Sequence, residues 1–298
     1  MKFSRGFIKT IVEFIDNKSK RKSKKIPFAS QKENRYDIPY LNDSNELHKF
    51  DIYYALDNRL NKTLLDIHGG AYVKGSRKNQ FYYAQIYKSA GYDVIVNDYD
   101  LVNAKTQKTV EDEIRDCVSM INYLDVHYQE LNLSNELYLT GDSAGGHFAL
   151  LLAEMFNNET LALRFGMKVK NLKLKCVLVN CTVYDFDSVS KAKNMSEGAR
   201  KYLFGHLSII DNWAKMLSPK EYIKDLNVPI FVSSCKNDFL LNESIELNDD
   251  LNKFGYEHEY VYIDSEDKKI NHVHNVVYLE AKESIDVNNK MLEFMRKY

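Results

Sequence analysis

The sequence is poor in cysteine. Its 298 residues include four cysteines, Cys117, Cys176, Cys181 and Cys235, and their spacing shows no pairing typical of a metal site. Cys176 and Cys181 lie in the apolar run KCVLVNC, where cysteine behaves as a small buried hydrophobic residue. The cysteines therefore predict no metal site, and they favour a reduced, cytoplasmic protein.

The chain also lacks an excess of charge of either sign. Its 41 basic and 42 acidic side chains give a formal net charge of -1 at pH 7. A nucleic-acid-binding protein usually has a basic surface, so no nucleic-acid partner is expected. The balance favours a small neutral or weakly charged ligand. The hydrophobic content of 44% is enough for a sizeable core.

The N-terminal segment lacks the features of a signal peptide. Its apolar residues at positions 3–15 fall on one side of a helix, but Lys9 and Glu13 interrupt them, and the basic run KSKRKSKK follows. The stretch is too short and too polar to span a bilayer. It is predicted to form an amphipathic helix and a basic linker over residues 1–45. Packing on the body of the protein is favoured over binding to an anionic membrane surface.

Short β-rich segments alternate with segments of helical periodicity through most of the chain. The β-rich segments are KFDIYYA, TLLDIHG, DVIVND, ELYLTG, KCVLVN, PIFVSS and HEYVYID. The helical segments lie around residues 80–90, 110–128, 147–157, 243–254 and 277–296. This alternation predicts an α/β fold with a mostly parallel central sheet flanked by helices. Antiparallel pairing is expected near the start, where strands precede any helix.

One connection is too long for a simple crossover between strands. It joins KCVLVN to PIFVSS and contains the single tryptophan, Trp213. Long connections within compact domains are usually lids or binding loops. The sequence therefore predicts a helical cap at about residues 182–222, inserted into a catalytic domain that spans residues 46–298.

The segment GDSAG, Gly141 to Gly145, matches the G-x-S-x-G nucleophile elbow. In that motif a sharp turn between a strand and a helix lifts a serine hydroxyl clear of the sheet edge, and residues without a Cβ make the turn possible. The apolar ELYL before it and the helical HFALLLAEMF after it provide this context. Ser143 is therefore a candidate nucleophile, and an incidental serine in a glycine-rich turn is the disfavoured alternative.

A serine nucleophile needs a base to take its proton and a carboxylate to orient that base. Asp238 follows the apolar strand in VPIFVSSCKNDFLLNES, at the sheet edge where active-site groups collect. His272 and His274 lie between HEYVYID and the last helical segment. The order serine, aspartate, histidine is that of elbow-type hydrolases. Either histidine fits this order.

The segment HGGAY, His68 to Tyr72, supplies backbone groups for a developing negative charge. A glycine pair after a strand lets N–H groups turn toward a substrate without obstruction by side chains. Such groups stabilise the oxyanion that forms when a carbonyl is attacked. The predicted donors are Gly69, Gly70 and Ala144, the residue after the serine.

Together HGGAY, GDSAGG, DFL at Asp238 and the late histidine resemble the α/β-hydrolase fold and, within it, the hormone-sensitive-lipase-like esterases. The resemblance covers about residues 51–297. It implies Ser143 as nucleophile, Asp238 as the orienting acid, and an oxyanion hole at the glycine loop. It favours His272 over His274 as the base, and the chemistry implied needs no metal or organic cofactor.

The sequence departs from this family's pattern at three positions. Ala71 stands where a third glycine is common, Asp100 stands where an arginine is common, and His274 stands where an aromatic residue is common. The alanine keeps its backbone N–H. With Asp100 in place of the arginine, the structural positive charge of that arginine is absent from this position.

Five further residues near these motifs have weaker predictions. In the family the histidine of HGG braces its loop, and this is the role expected for His68. Asp142 is expected to point into the protein, and His147 to be packed or solvent-facing. Tyr72 and Trp213 are candidate substrate-binding residues, with core packing as an equal alternative for each.

The motifs predict a serine carboxylesterase that cleaves a small acyl ester through an acyl-enzyme. Three alternatives remain: a deacetylase of an acetylated sugar or metabolite, a membrane-associated lipid hydrolase that uses the N-terminal helix, and a ligand-binding protein that has lost turnover. The presence of all three triad residue types disfavours the last.

Overall fold

The computed structural model describes residues 33–55, 58–103, 106–190 and 213–298. Its strands are β1 (Arg35–Pro39), β2 (Lys49–Tyr53), β3 (Thr63–Ile67), β4 (Asp93–Asn97), β5 (Glu136–Asp142), β6 (Lys173–Asn180), β7 (Ile230–Cys235) and β8 (His258–Ile263). Within the same residues the α-helices are α1 (Phe81–Ser89), α2 (Val110–His127), α3 (Ala144–Met155), α4 (Glu159–Phe165), α5 (Phe186–Ser190), α6 (Trp213–Met216), α7 (Leu241–Phe254), α8 (His274–Val277) and α9 (Lys282–Arg296).

The eight described strands form one sheet in the order β1-β2-β4-β3-β5-β6-β7-β8. The pairs β1–β2 and β2–β4 are antiparallel, and the remaining pairs are parallel. The predicted α/β fold is therefore confirmed, including the antiparallel start. Each of the seven predicted β-rich segments overlaps one strand of this sheet.

The first strand was not predicted. Residues of β1 are mostly exposed, and the strand contains Asp37 and Pro39, so its sequence RYDIP lacks the alternation that marks a half-buried strand. β1 nevertheless pairs with β2 at the edge of the sheet. The end of the predicted N-terminal helix and basic linker, residues 1–45, thus overlaps the sheet, which begins at Arg35.

Alternate side chains of the central strands enter two separate hydrophobic clusters. In β4, Val94 and Val96 pack in the cluster that contains residues of α1 and α9. Ile95 points the other way, into the cluster that contains residues of α2 and α3. A strand buried on both faces in this way is typical of a parallel sheet covered by helices. Each fully buried valine or isoleucine contributes about 1.5 to 3 kcal/mol to folding.

The helix that follows the serine motif lies entirely inside the protein. Every residue of α3 is buried, and the helix packs on β5 and β6. Glycine and alanine in its first turn allow this close approach: a Cβ on Gly145 would lie 2.0 Å from the carbonyl oxygen of Ile67. The sheet therefore fixes the start of α3 rigidly against the end of β3.

Two of the predicted segments lie largely outside the described residues. These are the N-terminal segment, of which residues 1–32 are not described, and the cap, of which residues 191–212 are not described. The described flanks of the cap contain α5 and α6. Among the described helices, none has the length and apolar character needed to cross a membrane.

Candidate active site

Ser143 lies at the sharp turn between β5 and α3. Its backbone has φ 56° and ψ −118°, a region that residues with a side chain rarely adopt. The surrounding contacts hold it there, because its N–H donates to the carbonyl oxygen of Asn180 at 2.9 Å. A Cβ on Gly141 would lie 2.3 Å from the carbonyl oxygen of Gly145. The turn thus requires glycine where the motif has it.

The imidazole of His272 joins the serine to a carboxylate. Its Nε2 lies 2.8 Å from Ser143 Oγ, and its Nδ1 lies 2.7 Å from Asp238 Oδ1. An ionised carboxylate can only accept hydrogen bonds, so Nδ1 carries the proton and Nε2 is left to accept from the serine hydroxyl. The ring of Phe239 packs on the imidazole at a centroid distance of 4.1 Å. The structure thus brings together three side chains that the sequence singled out.

Asp238 is buried directly after β7 and is held by several donors. Its Oδ1 accepts from the N–H of Leu240 at 2.9 Å, and its Oδ2 accepts from the hydroxyl of Ser234 at 2.9 Å. Burial by itself would raise the pKa of Asp238, but His272 and the N–H of Leu240 outweigh it and hold the pKa below its usual value. The carboxylate is therefore ionised at neutral pH and can orient the imidazole.

His274, the alternative base, faces a different neighbour. Its Nδ1 lies 3.0 Å from the hydroxyl of Ser284 in α9, and that hydroxyl donates to the carbonyl oxygen of His274 at 3.1 Å. Burial lowers the pKa of His274 to about 4. His274 thus packs in the core beside α9, whereas His272 contacts Ser143.

The glycine loop after β3 lies against the serine turn, but one of its predicted donors is occupied. The N–H of Gly69 donates to Asp142 Oδ1 at 3.0 Å. The prediction of Gly69 as a free oxyanion donor is therefore corrected. Among the described residues, the N–H groups of Gly70, Ala71 and Ala144 have no hydrogen-bond acceptor. Ala71, at the position that differs from the family pattern, thus offers the donor that Gly69 does not.

Gly70 has a backbone that only glycine adopts readily. Its φ is +148°, and a Cβ there would lie 1.7 Å from the carbonyl oxygen of Lys74. The two residues that follow, Ala71 and Tyr72, also have positive φ, 53° and 67°. Three consecutive residues with positive φ turn the loop sharply, and the N–H groups of Val73 and Lys74 both donate to the carbonyl oxygen of Gly70, at 3.2 and 3.1 Å.

His68 braces this loop, as expected for the family. Its ring stacks on Tyr99 at a centroid distance of 4.2 Å, and its Nδ1 lies 2.9 Å from the carbonyl oxygen of Gly69. The hydroxyl of Tyr99 donates to the His68 carbonyl oxygen at 2.5 Å. Asp142 supports the same loop: its buried carboxylate accepts hydrogen bonds from the N–H of Gly69 and from the side-chain amide of Gln80. Both residues are placed as the sequence predicted.

An aromatic cluster connects the loop to the flanks of the cap. The hydroxyl of Tyr72 lies 3.1 Å from His147 Nδ1, and His147 Nε2 lies 2.6 Å from the carbonyl oxygen of Leu217. Because a carbonyl only accepts, Nε2 carries the proton, and Tyr72 donates to Nδ1. Phe186 packs against His147 and Trp213. Tyr72 and Trp213 are 6% and 2% exposed, so both are packed in the core.

An amide network that the sequence did not reveal joins the serine turn to the histidine segment. Asn180, whose carbonyl holds Ser143, also accepts from the side-chain amide of Asn275 at 2.9 Å. Asn275 lies in α8, three residues after His272, and also donates to Asn288 in α9 at 3.1 Å. All three asparagines are buried. No local periodicity signals such contacts, because they join residues far apart in the chain.

The position where the family has arginine belongs to a buried ionic network. Asp100 Oδ2 lies 2.5 Å from Lys108 Nζ and 3.6 Å from His48 Nε2. His48 also contacts Asp116 at 3.3 Å and Asp43 at 2.6 Å. Burial would lower the pKa of His48, but the bonds to these three carboxylates raise it to about 10. A lysine and a histidine thus provide positive charge at this place.

Two groups of described side chains have the donors and spacing to hold a metal ion. One is His48, Asp100 and Asp116, where Lys108 already supplies a cation. The other is Cys181, Asp238 and His272, whose ligand atoms lie within 4.8 Å of one another. The second group was not predicted, because the cysteine lies 57 positions before the aspartate in the sequence.

A comparison with family models identifies the chain. A model of the BD-FAE family matches residues 50–251, a range that includes Ser143 and Asp238. The chain belongs to the BD-FAE family. This is an α/β-hydrolase-type family, so the resemblance drawn from HGGAY and GDSAGG is confirmed. No curated protein gives a significant match to the sequence.

Solved structures similar to this BD-FAE member include esterases. Esterase B from Lactobacillus rhamnosis, in a "C6-C4 SN3 inhibited" form, has 23% identity and a TM-score of 0.82, covering 98% of this chain and 94% of its own. The same enzyme inhibited with a tributyrin phosphonate has 22% identity and a TM-score of 0.81, with coverages of 98% and 93%. A truncated carbohydrate esterase from gut microbiota has 17% identity and a TM-score of 0.68, with coverages of 89% and 95%. These similarities establish the α/β-hydrolase fold.

Proposed function

We propose that this protein is a serine carboxylesterase that cleaves small acyl esters through a covalent acyl-enzyme. The observation that carries the proposal is the hydrogen-bonded chain from Ser143 through His272 to Asp238, with links of 2.8 and 2.7 Å. A serine hydroxyl in contact with an unprotonated imidazole nitrogen, which a carboxylate orients, is the arrangement that acyl transfer requires.

In the first half of the reaction Ser143 Oγ attacks the ester carbonyl carbon. His272 Nε2 takes the hydroxyl proton as the new C–O bond forms, and the ionised Asp238 stabilises the resulting imidazolium. The carbonyl oxygen becomes an oxyanion. The N–H groups of Gly70, Ala71 and Ala144 stabilise it, and removal of one such donor typically costs about 10² to 10³ in kcat. Support comes from Gly145, whose contact with β3 places the start of α3 beside the loop.

The reaction is completed by release of the alcohol, which ends the first half, and then by release of the acyl group as the carboxylic acid in the second half. The tetrahedral intermediate collapses when His272 gives its proton to the departing alkoxide, which leaves the acyl group on Ser143. A water molecule then attacks the acyl carbon, and His272 takes its proton as it did that of the serine. The second intermediate collapses with return of that proton to Ser143 Oγ. No step requires a group beyond these side chains, backbone N–H groups and water.

Small acyl esters are the substrate class that the similarities favour. Esterase B from Lactobacillus rhamnosis is inhibited by a tributyrin phosphonate, and tributyrin is a short-chain ester. Contact of Tyr72 and Trp213 with such a substrate stays a prediction. The match to a carbohydrate esterase supports a second candidate, a deacetylase of an acetylated sugar, which uses the same acyl-transfer steps.

Hydrolysis of p-nitrophenyl acetate, butyrate and octanoate tests the proposal. The wild type should hydrolyse at least the acetate and butyrate, whereas Ser143→Ala and His272→Ala should lose at least about 10³ in kcat. His274→Ala is the matched control and should keep most of the activity. Acetylated xylo-oligosaccharides, assayed by release of acetate, test the second candidate. A folded wild type inert toward every one of these esters would contradict the proposal.

A further inference from the structure

The sulfur of Cys181 lies beside the pair formed by His272 and Asp238. Cys181 directly follows β6 and has a positive φ of 50°. The N–H of Val273, the residue after His272, donates to its Sγ at 3.2 Å. The thiol, imidazole and carboxylate have their ligand atoms within 4.8 Å of one another, and all three residues are buried. Three different metal-binding groups therefore converge at one place.

The nitrogen of His272 that faces this place is Nδ1. Nε2 is directed at Ser143 Oγ, whereas Nδ1 lies 2.7 Å from Asp238 Oδ1. The set therefore consists of one sulfur, one nitrogen and one oxygen ligand. Zn²⁺ binds such ligands tetrahedrally at about 2.0 to 2.3 Å. The sulfur must therefore move toward the ion, and Nδ1 and Oδ1, now 2.7 Å apart, must separate to admit it, which leaves the fourth position to water.

We infer that Cys181, His272 and Asp238 form an inhibitory site for a thiophilic divalent cation such as Zn²⁺. The consequence for activity rests on the proposed function; the binding of the ion does not. Selectivity follows from the ligands, because a thiolate prefers zinc or cadmium to the hard cations calcium and magnesium. The group at His48 has no sulfur and is already paired with Lys108, so it does not share this preference.

The ion changes which nitrogen of His272 carries the proton. Before binding, Cys181 is a thiol, the ordinary form of cysteine at neutral pH, and Nδ1 carries the imidazole proton that faces Asp238. On binding, the ion takes the sulfur, the Nδ1 lone pair and an Asp238 oxygen. The thiol proton leaves to solvent, and the Nδ1 proton moves to Nε2. One proton is thus released for each ion bound.

With Nε2 protonated, His272 has no lone pair for the Ser143 proton. The serine hydroxyl then cannot be activated by its neighbour, and attack on an ester carbonyl stops. Inhibition thus requires no contact between the ion and the substrate. The ion replaces a proton on the far side of the imidazole and reverses the tautomer on which catalysis depends.

The test compares the wild type with Cys181→Ala, Cys181→Ser and the matched control Cys235→Ala. Cys235 is a second buried thiol, and its Sγ lies 3.6 Å from the carbonyl oxygen of Ile270. Titration with Cd²⁺ is followed by the ultraviolet cadmium–thiolate charge-transfer band and by proton release in weak buffer. Titration with Zn²⁺ is followed by ester hydrolysis, expressed relative to the basal rate of each variant.

The wild type and Cys235→Ala should show the cadmium band, release one proton per ion and be inhibited by Zn²⁺. In both Cys181 variants the band and the proton release should be lost, and half-inhibition should need at least about 100-fold more Zn²⁺. Thermal unfolding without metal shows which Cys181 variant retains the fold. Only a folded variant is compared with the wild type in the cadmium and zinc titrations. An unchanged band or unchanged zinc inhibition in a folded Cys181 variant would overturn the inference, as would a wild type without the band. A wild type that has the band but hydrolyses no ester would instead contradict the proposed function.

Discussion

The side-chain amide of Asn275 lies 2.9 Å from the side-chain oxygen of Asn180. Asn180 in turn holds the N–H of Ser143 through its carbonyl oxygen. One buried residue at the end of β6 thus fixes both the turn that carries the serine and the segment that carries His272. The same side-chain oxygen also accepts from the hydroxyl of Ser233, and the side-chain nitrogen of Asn180 donates to Tyr83, so the network has little freedom to rearrange.

This link predicts that Asn275 positions His272. In Asn275→Ala the histidine segment loses its bond to Asn180, and a displacement of about 1 Å between base and nucleophile costs up to about 10² in rate. We expect kcat to fall by about 10- to 100-fold with KM nearly unchanged, because the substrate contacts remain. Steady-state kinetics with p-nitrophenyl butyrate measure both constants.

Asn252→Ala is the matched control for this substitution, because Asn252 donates to a carbonyl within its own helix on the surface. Its kcat should be that of the wild type. A wild-type kcat in folded Asn275→Ala, or an equal loss in both variants, would show that the amide network does not position the base.

The glycine loop gives a second prediction. A Cβ on Gly70 would lie 1.7 Å from the carbonyl oxygen of Lys74, so Gly70→Ala must move the loop and with it the N–H groups of Gly70 and Ala71. Loss of oxyanion donors should lower kcat by about 10² to 10³. The kinetics of p-nitrophenyl butyrate hydrolysis measure the effect.

Gly166→Ala separates this effect from ordinary backbone strain. Gly166 also has a positive φ, +81°, but a Cβ there meets nothing within 4 Å. This variant should lose about 1 kcal/mol of stability and keep its kcat. If Gly70→Ala retained the wild-type kcat, the loop could not supply the oxyanion donors.

The ionic network around His48 gives a prediction about pH. The carboxylates of Asp43, Asp100 and Asp116 surround the imidazole, and its pKa is raised to about 10, against about 6.5 in an unfolded chain. A raised pKa means that the folded state binds the proton more tightly. The stabilisation is complete below about pH 6.5 and is lost as the pH rises toward 10.

We therefore expect the stability difference between wild type and His48→Gln to shrink by about 1 to 2 kcal/mol between pH 6.5 and pH 10. Urea unfolding at a series of pH values measures it. A His48→Gln difference that stayed constant, or grew with pH, would contradict a charged His48 in the folded protein.

The sequence was most informative where chemistry constrains neighbouring residues. GDSAGG predicted the turn because a serine with positive φ needs glycine at fixed offsets, and those offsets are visible in one short segment. The strands could be predicted because parallel strands buried on both faces are apolar throughout. The order of Ser143, Asp238 and His272 followed from the elbow motif and the ends of two strands.

What the sequence could not reveal are contacts between distant residues. Cys181 looked like an ordinary core cysteine, and only the sheet brings its sulfur to His272 and Asp238. The Gly69 N–H looked free in HGGAY, but the neighbouring turn places Asp142 against it. Both depend on how β3, β5 and β6 align at the same edge of the sheet, which a single sequence does not encode locally.

The central claim is that Ser143 is a nucleophile activated by His272. A p-nitrophenyl alkylphosphonate tests it directly, because an activated serine displaces p-nitrophenolate and keeps the phosphonyl group. Intact-mass spectrometry and peptide mapping should find one adduct, on Ser143, in the wild type and at a similar rate in His274→Ala. Labelling should be absent in Ser143→Ala and at least about 10³ slower in His272→Ala. An adduct on another residue, or labelling of Ser143 that does not depend on His272, would contradict the account.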